Sequence, residues 1–66
     1  MTIERMGKVI RRFREKRELT QAALAKAAGI TRVYVAKIEA GEKVPSIPTL
    51  QKLAKALKVK VGRLLE

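Results

Sequence analysis

The stretch GITRVYVAKIEAG, Gly29 to Gly41, decides how the rest of the chain is read. Its middle, RVYV, has the composition of a β-strand, because β-branched and aromatic residues are enriched in strands. The signals at its ends say otherwise. Thr31 is a good N-cap, and Ile30 before it can pack on Val35 at N4 as a hydrophobic staple. Val35 and Ile38 are spaced i, i+3, so both face inward from a helix. Gly41 is a fitting stop. Against this, the helix penalty of valine and tyrosine amounts to about a few tenths of a kcal/mol per residue. Nothing else in the chain offers a strand to pair with. A helix is therefore expected here, with its odd residues left facing outward.

Working outward, LTQAALAKAAG reads as a preceding helix. Thr20 is its cap, Leu19 and Leu24 its staple, and Gly29 the residue that ends it. Before that, Ile3, Met6, Ile10, Phe13 and Arg17 follow helical spacing over about Ile3 to Glu18. The other faces of that segment carry Arg5, Lys8, Arg11, Arg12 and Lys16. After the central stretch comes a loop, GEKVPS. Ser46 then caps a fourth helix, with Pro48 in its first turn and Leu50, Leu53, Ala54 and Leu57 as its stripe. A short fifth helix over about Val61 to Leu65 has weak signals: Lys60 is a poor cap and Gly62 lies inside it. The expected fold class is all-α, a compact orthogonal bundle forming a single domain over residues 1–66. The helices are too short for sustained heptads.

Composition narrows the function. Sixteen lysines and arginines stand against six glutamates, a formal charge of +10 on 66 residues. Such a balance implies a polyanionic partner, nucleic acid before an acidic membrane surface. Without His the chain lacks the commonest general base and metal ligand; Cys and Asp are absent too, no paired-carboxylate cluster appears, and its one serine is expected as a cap. We expect no enzyme, no cofactor, no metal and no small-molecule ligand. The longest uncharged run, Val44 to Gln51, is far short of the roughly 20 residues that span a bilayer. With no signal-peptide pattern at the N-terminus, a cytoplasmic protein without membrane association is expected.

Two helices joined at AAGIT form a helix-turn-helix candidate. The turn needs small residues where the helices approach, and Ala25, Ala28 and Gly29 supply them. At this point LTQAALAKAAGITRVYVAKIEAGEKVPSIPTLQKLAKAL resembles the Cro/cI-type (XRE-type) helix-turn-helix DNA-binding domain. The shared pattern is Leu-Thr-Gln, Gly-Ile-Thr, Ile-Glu-x-Gly, a Pro-Ser loop and a leucine-rich fourth helix. The resemblance runs from about Ile10 to Leu65 and implies five helices in a λ-repressor-like arrangement, the third entering the major groove. The chain departs from that pattern in its last third. Lys58 stands where related domains often have Gly, and Lys60 where they often have a capping Ser or Thr.

The resemblance implies a phosphate contact for Gln21, at N1 of the second helix. Arg32, at N1 of the third, is expected to pair with guanine O6 and N7, a phosphate clamp being the alternative. Val33 would meet a thymine methyl unless it is merely exposed. Tyr34 would donate to phosphate, unless its ring packs on the body. Lys37 shares the outward face of Val33, and Ala36 gives clearance. Lys43, in the following loop, is a candidate backbone contact. The family pattern makes Arg14 and Glu39 a partly buried structural pair between the first and third helices. Val61, Leu64 and Leu65 either close the core or form a dimer seam, and the family favours the seam. The expected protein is a transcriptional regulator binding double-stranded DNA as a homodimer. The alternatives are an antitoxin or adaptor that works mainly through a protein partner, and a non-specific binder of RNA or membrane.

Overall fold

The computed structural model describes residues 2–66, and among them it contains five α-helices and no strand. They are α1 (Ile3–Lys16), α2 (Gln21–Ala28), α3 (Arg32–Glu39), α4 (Ile47–Leu57) and α5 (Val61–Leu64). The first four each begin at a hydroxyl. Thr2, Thr20, Thr31 and Ser46 accept from the backbone N–H three residues on, at 3.0, 3.0, 3.0 and 3.3 Å. Each bond satisfies one of the donors that a helix start leaves without a partner. Lys60, before α5, makes no such bond. The fifth helix forms in spite of its missing cap because its Leu64 is buried.

The helix ends follow equally local rules. Gly29 ends α2 at φ 71°, the left-handed conformation that glycine adopts without penalty, and lets the chain turn directly into α3. The same conformation is forced on Glu18 (φ 56°) and Lys58 (φ 58°), which carry side chains. Glu18 explains why α1 stops two residues short of the expected end: the backbone has already reversed there. At Lys58 a glycine would relieve the strain. Part of the gain is offset by glycine's freer unfolded chain. Lys58→Gly should therefore raise stability by about 0.5–1 kcal/mol, seen as a higher urea midpoint with an unchanged slope.

Helix α2 packs on both α3 and α4, while α1 lies against α3 and α5, and α4 contacts α5. Ile10, Leu24, Val35, Ile38, Leu53, Leu57 and Leu64 are fully buried at the centre. Ala25 and Ala28, the small residues of the turn, are buried beside them. The seam expected of Leu64 needs correcting. Its side chain is sealed inside its own core, where α5 meets α4 and α1, and has no surface to offer a partner. Val61 is partly buried against the same core, and Leu65 alone of the three stays exposed.

Candidate nucleic-acid interface

Helix α3 is only two turns long, too short to hold its shape in isolation. Its inner side fixes it: Val35 and Ile38 are buried. At its far end Glu39 is clamped. Arg14 Nε donates to Glu39 Oε2 at 2.7 Å and Arg14 Nη2 to Glu39 Oε1 at 3.0 Å, a two-pronged contact between α1 and α3. A third guanidinium nitrogen, Nη1, donates to the Leu19 carbonyl at 2.7 Å and so also anchors the α1–α2 turn. The side chains of Arg14 and Glu39 are only 12% and 4% exposed. The hydrogen bond to Glu39 is the main cause that holds the Arg14 guanidinium's pKa above its ordinary value, so its charge is permanent.

Gln21 joins this cluster. Its amide Nε2 donates to Glu39 Oε1 at 3.1 Å. In this structure the side chain expected at phosphate is turned to the ion pair, and it ties the N-terminus of α2 to the end of α3. The contact spans 18 positions in sequence, and no local signal reports it. Gly7 owes its place to a contact of the same long-range kind. A β-carbon built there would overlap the Ile38 carbonyl oxygen and lie 2.7 Å from that of Glu39, so α1 and the end of α3 approach backbone to backbone.

The outer side of α3 is free of such ties. Arg32 and Lys37 are exposed, and Val33 is 52% exposed, one of the few large apolar side chains left to solvent. Among the described residues three ion pairs form, Arg11–Glu15, Arg14–Glu39 and Arg63–Glu66. None involves Arg32, Lys37 or Lys43, so these three cations face outward without an internal carboxylate. Lys43 is exposed in the α3–α4 loop, and Ala36 is half-buried. Tyr34 is partly buried and packs on the core, closer to the packing alternative than to an open position. Its backbone N–H is the one Thr31 caps. The structure thus gathers Arg32, Val33 and Lys37 on one outward surface and sets Arg14, Gln21 and Glu39 behind it.

Comparison with known proteins agrees with this architecture. A family model described as helix-turn-helix matches residues 10–64. The chain is 38% identical over 60 residues to the immunity repressor protein of Bacillus phage phi105, covering 91% of this chain and 42% of that protein. It is similar in structure to the restriction-modification controller protein C.AhdI from Aeromonas hydrophila, with a TM-score of 0.92 at 32% identity and 94% of each chain covered. It is also similar to the master regulator for biofilm formation SinR in complex with DNA, with a TM-score of 0.89 at 32% identity, over 92% of this chain and 98% of that one. Against the repressor of phage phi105, and against a second curated relative matched over 43% of its length, the chain spans about two fifths of the protein.

Proposed function

We infer the function from one premise: the chain belongs to the helix-turn-helix family, in its Cro/cI type, whose model spans residues 10–64. On that premise the protein is a sequence-specific DNA-binding transcription regulator, with residues 1–66 acting as one DNA-binding unit in the cytoplasm. The observation that carries this reading is the leading end of α3. It presents Arg32 and Val33, with Lys37 one turn on, as an unpaired outward surface on a helix immobilised from behind. The +10 charge supplies the field that draws a polyanion to it. The SinR structure, which holds DNA, lends further support through its likeness to this chain.

Arg32 is assigned to guanine, Val33 to a thymine methyl, and Lys37 to a base or phosphate. Lys43 is assigned to the DNA backbone, and Tyr34, whose ring packs on the core, is left at most its hydroxyl for that purpose. Gln21 reaches phosphate with the second N–H of its amide, the first being held by Glu39. The protein acts as a symmetric dimer through Leu65 and the edge of Val61, which sets two copies of α3 about 34 Å apart, one helical turn of DNA. A composition without His, Cys or Asp suits binding and not catalysis. Among the described residues no helix is long and apolar enough to cross a membrane.

Selection of bound sites from a random duplex library tests the whole reading. Two-fold symmetric sites with half-sites one turn apart are expected, and recovery of random sequence would sink it. On the selected site, Arg32→Ala should lose about 1–3 kcal/mol of discrimination at one base step while keeping its affinity for random duplex. Equal loss on every sequence would make Arg32 a phosphate clamp.

A further inference from the structure

Four of the sixteen cations gather around one cleft. On the outer side of α1, where it meets α5, Arg5, Arg12, Lys16 and Arg63 surround a cleft of about 190 Å³. Val9 and Phe13 also line it, and both are partly buried against the core, so the cleft has an apolar base and a cationic rim. The Phe13 ring has the Lys16 ammonium 5.8 Å and the Arg63 guanidinium 5.5 Å from its centroid. Both distances are within cation–π reach of the ring.

This cleft lies apart from the proposed DNA-reading surface. Gly7 and Arg14, two turns apart on α1, face the end of α3. Val9 and Lys16 are likewise two turns apart, but two positions further on, which is about 200° around the helix axis. The cleft therefore opens away from α3. The molecule measures 26 × 22 × 21 Å. Charges on opposite faces are thus separated by more than the Debye length of about 8 Å at physiological salt.

We propose that this cleft is a docking site for an acidic peptide segment of a partner protein, one that alternates carboxylates with an aliphatic side chain. Three arginines offer planar forks that match carboxylates, and the Val9–Phe13 base accepts an apolar side chain, which a bare phosphate would leave unused. The Glu66 carboxylate already sits in the rim, 3.5 Å from Arg63 Nε. A duplex backbone would meet Arg5, Arg12 and Lys16 as a row along α1 and leave the Val9–Phe13 base empty, so the apolar base is what favours the peptide. A second copy of this chain is also a poor occupant, as its six glutamates are outnumbered by sixteen like charges. An acidic partner held here leaves α3 open, so the protein can be bound to DNA and to that partner together.

The test is fluorescence anisotropy with a labelled peptide of alternating leucine and glutamate, on the full chain, with and without saturating duplex DNA. The peptide should bind equally in both states, and replacing its glutamates by glutamines should abolish binding. Arg12→Glu and Lys16→Glu should each weaken it about tenfold or more. Lys55→Glu, which changes the net charge equally at an exposed position of α4, should have little effect, and thermal melts would verify that all three variants fold. Equal weakening by Lys55→Glu would reduce the effect to bulk charge and overturn the proposal. So would displacement of the peptide by duplex, undiminished binding of the glutamine peptide, or amide shifts on peptide titration confined to α3 with none at Val9, Arg12 and Lys16.

Discussion

Arg14→Ala should unfold at a much lower temperature than the parent chain, with a loss of about 3–5 kcal/mol. The cause lies less in the bonds removed than in the charge left behind. Glu39 accepts two bonds from Arg14 and one from Gln21, and its side chain is 4% exposed. Without the guanidinium its carboxylate stays buried with one neutral donor, and the Leu19 carbonyl loses its partner as well. For a domain of this size the loss is a large part of all the stability it has. Glu39→Ala should cost a similar amount by stranding Arg14. Replacing both with apolar residues of like size, Arg14→Met with Glu39→Leu, should recover much of it, since a buried pair and a well-packed apolar pair are often close in stability. A double variant as unstable as either single one would show that loss of the pair itself, and not the stranded charge, sets the effect. Chemical denaturation of the four proteins measures it.

The second large effect is expected at Gly7. In an exposed helix Gly→Ala should help by roughly 0.5–1 kcal/mol, since alanine loses less entropy on folding. Here the sign reverses. The added methyl meets the carbonyl oxygens of Ile38 and Glu39, which are backbone atoms and cannot swing aside. Helices α1 and α3 must separate, and the Arg14–Glu39 contact is stretched with them. A net loss of about 2–3 kcal/mol is expected. Urea unfolding of Gly7→Ala decides the matter, and any gain in stability would mean the two helices do not approach as closely as described. Gly62 makes the control, because nothing lies within 4 Å of a β-carbon placed there.

These two sites also show where sequence reading runs out. The starts of α2, α3 and α4 were legible because a cap is a local event: Thr20, Thr31 and Ser46 each act on the N–H three residues on. The strand-like RVYV was legible as helix for the same reason. Gly7 was not, because within its own helix a glycine is simply a weak residue, and only the backbone of α3 explains it. Gln21 was assigned to phosphate by the family resemblance, and its bond to Glu39 depends on how α2 and α3 close upon each other. In the four residues of α5 no periodicity can be established, so Leu64 and Leu65 look alike in sequence while one is buried and the other exposed.

The two sides of α3 carry separate burdens. Val35, Ile38 and Glu39 hold the helix in place, whereas Arg32, Val33 and Lys37 touch little of the protein. Substitutions at the three outer positions should move stability by no more than about 0.5 kcal/mol. With DNA reading assigned to these three as proposed, target preference can drift by single substitutions without a folding penalty, while the frame behind it stays fixed. A scaffold divided in this way lets a lineage acquire new binding sites and remain the same molecule.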